Sequence, residues 1–251
     1  MNSQFTIHRY ELRIHGADTR LTTGTVYQWV LKLVRAFFMN VVIGSNKGGV
    51  GKTTTCMNIA IGLTIRGKDV VVLDGDGQGS CHLWHGNREA AERQPVVPHA
   101  QKYGNLVNTV ASLADKYEHV LIDVAGHNST ELITSMCVAD LVICPLQCSE
   151  LDTDTLKRLR KQYAEISPSN PKLRVLIYQT FGETHAQGRV IERAEFLEAL
   201  LPYPEFEVLN SVGRYRKIYK SSMKKGLSVL ECGSNKAKEE INELLDEVFY
   251  G

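Results

Sequence analysis

One stretch constrains the fold more than any other: Asn40-Val41-Val42-Ile43-Gly44-Ser45-Asn46-Lys47-Gly48-Gly49-Val50-Gly51-Lys52-Thr53-Thr54. An apolar run breaks into glycines, ends in Lys-Thr-Thr and then becomes helical. A strand, a glycine turn and a helix N-terminus in that order form a phosphate cradle. The glycines let successive backbone N–H groups converge on one anion, and the positive end of the helix adds to them. Lys52 then lies against the β- and γ-phosphates, and the Thr53 hydroxyl is placed to hold a Mg2+ ion. Gly48, Gly49, Val50, Gly51 and Thr54 complete the expected cofactor-binding loop. The ordinary G-x-x-x-x-G-K-[ST] spacing fails at one position, because its first glycine falls at Asn46. A second lysine, Lys47, stands at the start of the loop instead.

Downstream of Met39 the chain alternates strand and helix patterns, which implies an α/β fold: a doubly wound, mostly parallel sheet with helices on both faces. Runs at Val41–Ile43, Val70–Leu73, His119–Ile122, Leu141–Cys144 and Leu173–Tyr178 are apolar and partly β-branched, as strands buried on both faces require. Helices are expected from about Thr53 to Arg66, Leu106 to Lys116, Ser129 to Cys137, Thr153 to Ile166, Val190 to Leu200 and Lys236 to Phe249. The stretch from Gly86 to Gly104, with Pro95 and Pro98, has no clear periodicity.

Residues 1–38 are an extension to the domain of residues 39–251. Within it, Thr25 to Phe38 has the apolar spacing of an amphipathic helix. Two readings stand: Met39 is the natural start and the preceding residues are upstream sequence, or they form a short functional arm. Lys32 and Arg35 interrupt the most apolar early segment, which makes it a poor membrane span.

With 29 basic and 28 acidic side chains, global charge selects no partner, so any nucleic-acid surface must be local. The cysteines Cys56, Cys81, Cys137, Cys144, Cys148 and Cys232 form no C-x-x-C pair. They read as reduced core residues, not a disulfide framework or a zinc site. His82 and His85 have a helical ligand spacing without further ligands nearby, and read as surface histidines.

Ligands in doubly wound sheets gather at the carboxyl ends of strands. Two strands end in acids there: Val72-Leu73-Asp74-Gly75-Asp76-Gly77-Gln78 and Val120-Leu121-Ile122-Asp123, the latter followed by Val124-Ala125-Gly126. Phosphoryl transfer depends on electrostatic positioning more than on covalent chemistry, so two lysines, Mg2+ and a placed carboxylate are a sufficient inventory.

The run Lys47-Gly48-Gly49-Val50-Gly51-Lys52-Thr53 resembles the deviant Walker A motif of the ParA/MinD family of P-loop ATPases. The resemblance covers nearly everything from Met39 onward, and the roles that follow are what it implies. ATP and Mg2+ are the cofactors. Lys47 reaches across a homodimer interface to the partner's nucleotide, and with Lys52 and Asp76 it forms the catalytic set. Asp76 orients the attacking water, and Asp74 couples the site to a switch. Asp123 resembles the Walker B aspartate, which holds Mg2+ through water beside Thr53, while Gly126 resembles the glycine that senses the γ-phosphate. Gly77 departs from the family's usual proline and makes that loop more flexible. Gln179 stands where relatives often have an asparagine that reads adenine. Intrinsic hydrolysis is expected to be slow and raised by a partner.

Between Asn210 and Leu230 there is no acidic residue, yet Arg214, Arg216, Lys217, Lys220, Lys224 and Lys225 cluster there with Tyr215 and Tyr219. Such a cluster is either a solvated basic helix face or a footprint for phosphate backbone. Arg214-x-Arg216-x-x-Tyr219 followed by Gly226-Leu227-Ser228-Val229 and Glu231 resembles the segment with which ParA-type partition ATPases bind double-stranded DNA without sequence preference. The implied protein is a cytoplasmic, nucleoid-associated ATPase whose ATP-bound dimer coats DNA and whose hydrolysis a centromere-binding, ParB-like partner stimulates. Two alternatives share the motif: a MinD-like positioning ATPase at the membrane, and an accessory ATPase of conjugative transfer. The acidic final segment from Lys236 to Glu247 argues against a membrane-binding helix.

Overall fold

A computed structural model of the protein describes residues 38–126, 129–150, 153–233 and 235–251. The two readings of the N-terminal extension concern residues 1–38, of which all but Phe38 lie outside the described residues, and the same holds for the expected helix over 25–38.

Among the described residues seven strands form one parallel sheet: β1 (Met39–Ile43), β2 (Val70–Gly75), β3 (His99–Gln101), β4 (His119–Val124), β5 (Leu141–Gln147), β6 (Arg174–Gly182) and β7 (Glu207–Arg214). Their order is β3-β2-β4-β1-β5-β6-β7, and every pairing is parallel. Among the described residues there are eight α-helices: α1 (Lys52–Ile65), α2 (Ser80–Ala90), α3 (Val107–Ala114), α4 (Thr130–Met136), α5 (Thr153–Ile166), α6 (Ala186–Leu200), α7 (Lys217–Met223) and α8 (Lys236–Phe249).

Successive strand residues face opposite sides of a sheet, and the core divides accordingly. Val41, Ile43, Val70, Val72, Leu121, Leu141, Ile143, Leu176 and Tyr178 join one apolar cluster with side chains of α1, α2 and α8. Val42, Val71, Leu73, Val120, Ile122, Val142, Val175 and Ile177 join a second with α3, α4, α5 and α6. The expected doubly wound arrangement therefore holds, with a buried layer on each face. On the first face α1 lies so close to α8 that a Cβ on Gly62 would fall 2.3 Å from Leu245 Cδ1.

Three expectations need correction. The stretch from Gly86 to Gly104 carries the second half of α2 and the edge strand β3, whose three residues are too few to show periodicity. The segment from Asn210 to Leu230 is not one helix face, because it contains the end of β7, then α7 and a short 3-10 turn at Val229–Glu231. His82 is exposed as expected, but His85 is buried and stacks on His99 at 3.9 Å between ring centroids. Burial, then the neighbouring His99, Arg88 and His82, lower its pKa to about 3, so it stays neutral.

Candidate functional site

The sheet's register brings the site together. Ile43 pairs with Asp123, and Asp123 with Asp74, so the last residue of β1 and two carboxylates stand level at the carboxyl edge of three adjacent strands. From that edge the chain turns through Gly44–Gly51 into α1. Gly49 and Gly51 adopt left-handed backbone, with φ of 79° and 90°, a conformation that disfavours any side chain. No side chain caps α1 and no acid sits in its first turn. Its opening N–H groups are thus available to an anion, as the cradle requires.

The loop is held from several sides. Val50 is buried and anchors it in the core, while its carbonyl accepts from the Thr180 hydroxyl at 2.9 Å. Gln147 Nε2 donates to the Gly49 carbonyl at 3.4 Å. Asn46, where the ordinary motif has glycine, exchanges two amide hydrogen bonds with Gln162 of α5, at 2.8 and 3.3 Å. That pair explains the departure from the motif, because a glycine could not tie the loop to α5. Only the fold shows it, since the partner is 116 residues away.

Lys52 is buried and its ammonium donates to the Lys47 carbonyl at 2.7 Å, reaching back across the loop. Gly126 closes over this contact: a Cβ there would lie 2.6 Å from both the Lys47 carbonyl oxygen and Lys52 Nζ. The expected switch glycine is therefore in contact with both lysine positions of the loop. Lys47 itself is half-buried, and among the described residues its ammonium has no ion-pair or hydrogen-bond partner.

Asp74, Asp76 and Asp123 are all buried. Asp74 Oδ1 accepts from the Asp76 N–H at 3.0 Å and Asp76 Oδ1 from the Gln78 N–H at 2.9 Å, which orders the turn after β2 without a proline. Neither oxygen of Asp123 completes a hydrogen bond. Burial raises its pKa to about 7, the Thr53 hydroxyl beside it and Lys52 pull it down, and Asp74 and Asp76 push it up. A fully buried carboxylate with two unpaired oxygens next to a threonine hydroxyl fits a divalent cation of oxygen-ligand preference such as Mg2+. Thr53 and Asp123 would hold it, directly or through water. When bound, the ion would neutralise charge on the transferring phosphoryl group.

In the metal-free fold Asp123 is favoured as the neutral acid, so its contribution is present below its ordinary pKa of 3.8 and is lost as pH rises to about 7. Cation binding must expel that proton. Mg2+ affinity is expected to rise about tenfold per pH unit up to pH ~7 and then level off. Calorimetric titration with Mg2+ between pH 5.5 and 8.5 measures this; a flat profile would remove Asp123 from the metal's surroundings.

Cys81 also belongs to this neighbourhood, a feature the cysteine spacing did not reveal. Its sulfur and the carboxylates of Asp74 and Asp123 lie within 4.8 Å of one another. Burial and the adjacent acids push its thiol pKa well up, so it is a neutral bystander, not a thiolate. All six cysteines are free.

The cavity over the loop has a volume of about 910 Å³. Gly48, Gly49, Gly51, Lys52, Thr53, Thr54, Asp76 and Gly126 line it, and so do Arg214, Arg216, Lys217, Lys220 and Lys224. The structure thus places five of the six basic residues on the wall of the cavity that contains the phosphate loop. They are not equivalent. Lys217, Lys220, Lys224 and Lys225 are exposed, whereas Arg214 donates to the Glu183 carbonyl at 2.9 Å and Arg216 pairs with the buried Glu240 at 2.7 Å. Gln179, expected to read a base edge, is buried with both amide ends engaged: Nε2 donates to Glu192 at 3.2 Å and Oε1 accepts from Arg193 at 3.0 Å.

Comparison with known proteins agrees with this geometry. A model of the CobQ/CobB/MinD/ParA nucleotide binding domain matches residues 41–229. The maintenance of carboxysome distribution protein A of Halothiobacillus neapolitanus is 27% identical over 214 residues, 82% of this chain and 94% of the relative. The chromosome partitioning protein ParA of Caulobacter vibrioides is 28% identical over 174 residues, which span 53% of this chain and 65% of that protein. Cobyrinic acid a,c-diamide synthase from Mycobacterium smegmatis, solved with an ATP analogue and magnesium, superposes with a TM-score of 0.62 at 20% identity over 83% of this chain and 95% of its own.

Proposed function

The chain belongs to the CobQ/CobB/MinD/ParA nucleotide-binding domain family, and from that premise we propose that it is an ATPase that positions a cargo along DNA. Two copies close around two ATP·Mg2+, with Lys47 of each reaching the other's nucleotide. The closed dimer holds DNA without sequence preference through Lys217, Lys220, Lys224 and Lys225, with Arg214 and Arg216 shaping that surface. Asp76 orients the attacking water, Asp74 and Gly126 relay the state of the γ-phosphate, and a cargo-bound, ParB-like partner accelerates hydrolysis and so releases the DNA. The relatives named for carboxysome distribution and chromosome partitioning support a positioning role. No described helix is long and apolar enough to cross a membrane.

The observation that carries this reading is the cavity shared by the phosphate loop and the basic segment. A nucleotide bound there touches the element that would meet DNA, so occupancy can change that element. The test is DNA binding with and without ATP·Mg2+ at graded salt. Binding should require ATP, and replacing the four exposed lysines with alanine should reduce the magnitude of the log–log salt slope by about 3.6 per subunit. Lys47→Ala should keep nucleotide affinity and lose ATP-dependent dimers on gel filtration. DNA binding that ignores nucleotide, or dimers unaffected by Lys47→Ala, would sink the proposal.

A further inference from the structure

Beyond the phosphate loop the cavity wall becomes aromatic. Phe181 and Tyr215 both line it and are 39% and 65% exposed. Their ring centroids are 6.1 Å apart with planes tilted by 34°. Phe181 Cε2 would lie 3.5 Å from a Cβ on Gly51, so this ring stands beside the last glycine of the cradle. The Tyr215 N–H donates to the Gly182 carbonyl at 2.9 Å, which ties together the two segments that carry the rings.

The backbone at Phe181 is unusual. Its φ is 55°, in the left-handed region that bulky residues seldom occupy. The β6–β7 register shifts between Gln179 and Gly182, where Phe181 lies. An irregularity of this kind re-aims a side chain, and it is characteristic of strands next to binding sites. Glycine would hold the same turn without strain, yet the chain places a large ring there, pointed into the cavity.

Resting on the nucleoside-triphosphate reading above, we propose that Phe181 and Tyr215 grip the nucleobase by its faces, as a stacking clamp. A flat base between two rings needs two contact gaps of about 3.5 Å, or about 7 Å in all. The present 6.1 Å separation reaches that by a small opening and a loss of tilt. Stacking tolerates base identity because every base has a π-face. Gln179, the side chain placed to read a base edge, has its amide committed to Glu192 and Arg193. Adenine and guanine nucleotides therefore bind this site with similar affinity, and selection between them is weak.

The experiment is equilibrium competition on the full chain with ATP, GTP and inorganic triphosphate, each with Mg2+. Tyr215→Ala and Phe181→Gly each weaken ATP by about 5- to 150-fold, the range of one lost stacking contact, and leave inorganic triphosphate within about twofold. Phe181→Gly also relieves the left-handed strain, so misfolding does not account for its loss. In the unaltered chain ATP and GTP differ by less than about fivefold, well short of the discrimination that a hydrogen-bonded edge gives. ATP affinity unchanged in both variants, or lost equally for triphosphate, would overturn the clamp. So would a preference for ATP beyond about 100-fold. If the unaltered chain bound neither ATP nor triphosphate, the nucleotide site itself would be overturned and the clamp with it.

Discussion

Gly126→Ala is expected to abolish productive nucleotide binding while leaving a folded protein. The added methyl would lie 2.6 Å from the Lys47 carbonyl oxygen, 2.6 Å from Lys52 Nζ and 2.9 Å from Gly48 Cα. Two of these are backbone atoms that cannot rotate away, and the third is held at 2.7 Å to the first. The loop or the turn after β4 must therefore move. Displacing positioned groups by about 1 Å costs on the order of 100-fold, and we expect ATP affinity and turnover to fall by at least that much. The core is untouched, so the melting temperature should drop by only a few degrees, in keeping with a local change of about 1 kcal/mol. Gly86→Ala is the control: Gly86 is exposed in α2 with nothing within 4 Å of its added Cβ. It should be neutral or stabilise by up to about 1 kcal/mol. ATP titration by calorimetry decides the matter, and Gly126→Ala affinity within threefold of the unaltered protein would show that the contact does not control the site.

Arg216→Glu should unfold or loosen the basic segment instead of producing a clean DNA-binding variant. Glu240, on α8, accepts from Arg216 Nε at 2.7 Å, from the Arg214 N–H at 3.1 Å and from the Tyr219 hydroxyl at 3.0 Å. Both partners of the ion pair are largely shielded, at 19% and 8% side-chain exposure. Removing one member of such a pair costs about 3–5 kcal/mol, because the other charge is left buried and unpaired. A second carboxylate in its place adds repulsion. Against a total stability of about 5–15 kcal/mol, that is a large fraction, and the melting temperature should fall by roughly 6–20 °C at 2–4 °C per kcal/mol. Nucleotide affinity should fall too, since Arg216 lines the same cavity. Lys224→Glu, at an exposed site, should leave stability within about 0.5 kcal/mol. Urea denaturation of the two variants compares them directly; equal midpoints would show that the Glu240 pair contributes little.

A second buried pair fixes the segment's other end. Arg88 of α2 binds Glu231 at 2.9 Å and also donates to the Gly226 carbonyl at 2.8 Å. Asn58 of α1 accepts from the Ser228 hydroxyl at 2.7 Å and from the Val229 N–H at 2.9 Å, and its amide donates to the Thr54 carbonyl at 2.7 Å. One side chain thus links the helix that starts at the phosphate loop to the end of the basic segment.

Much of this was legible in the chain because it is local. The phosphate loop needs glycines, a lysine and a threonine at fixed offsets, and all of its parts lie within eight residues. Strands buried on both faces announce themselves as short apolar runs, which is why five of the seven were found and the three-residue β3 was not. β7 escaped for a different reason: Glu207, Asn210 and Arg214 interrupt its apolar pattern, and it pairs only with β6 along one edge of the sheet. The basic segment was legible as charge, but not as two kinds of charge. Nothing in its spacing marks Arg214 and Arg216 as engaged and the four lysines as exposed.

By itself, then, the sequence determined the doubly wound α/β class, the phosphate loop and the acids at the ends of β2 and β4, because each depends on residues close together along the chain. Only the tertiary structure decided how tightly Gly126 caps the two lysine positions and that Asn46 is tied to Gln162. It also decided that Gln179 is already bound and that the basic segment shares the cavity of the phosphate loop. Each of those depends on which distant elements the parallel sheet brings side by side, and on which polar groups, once buried, must take one another as partners.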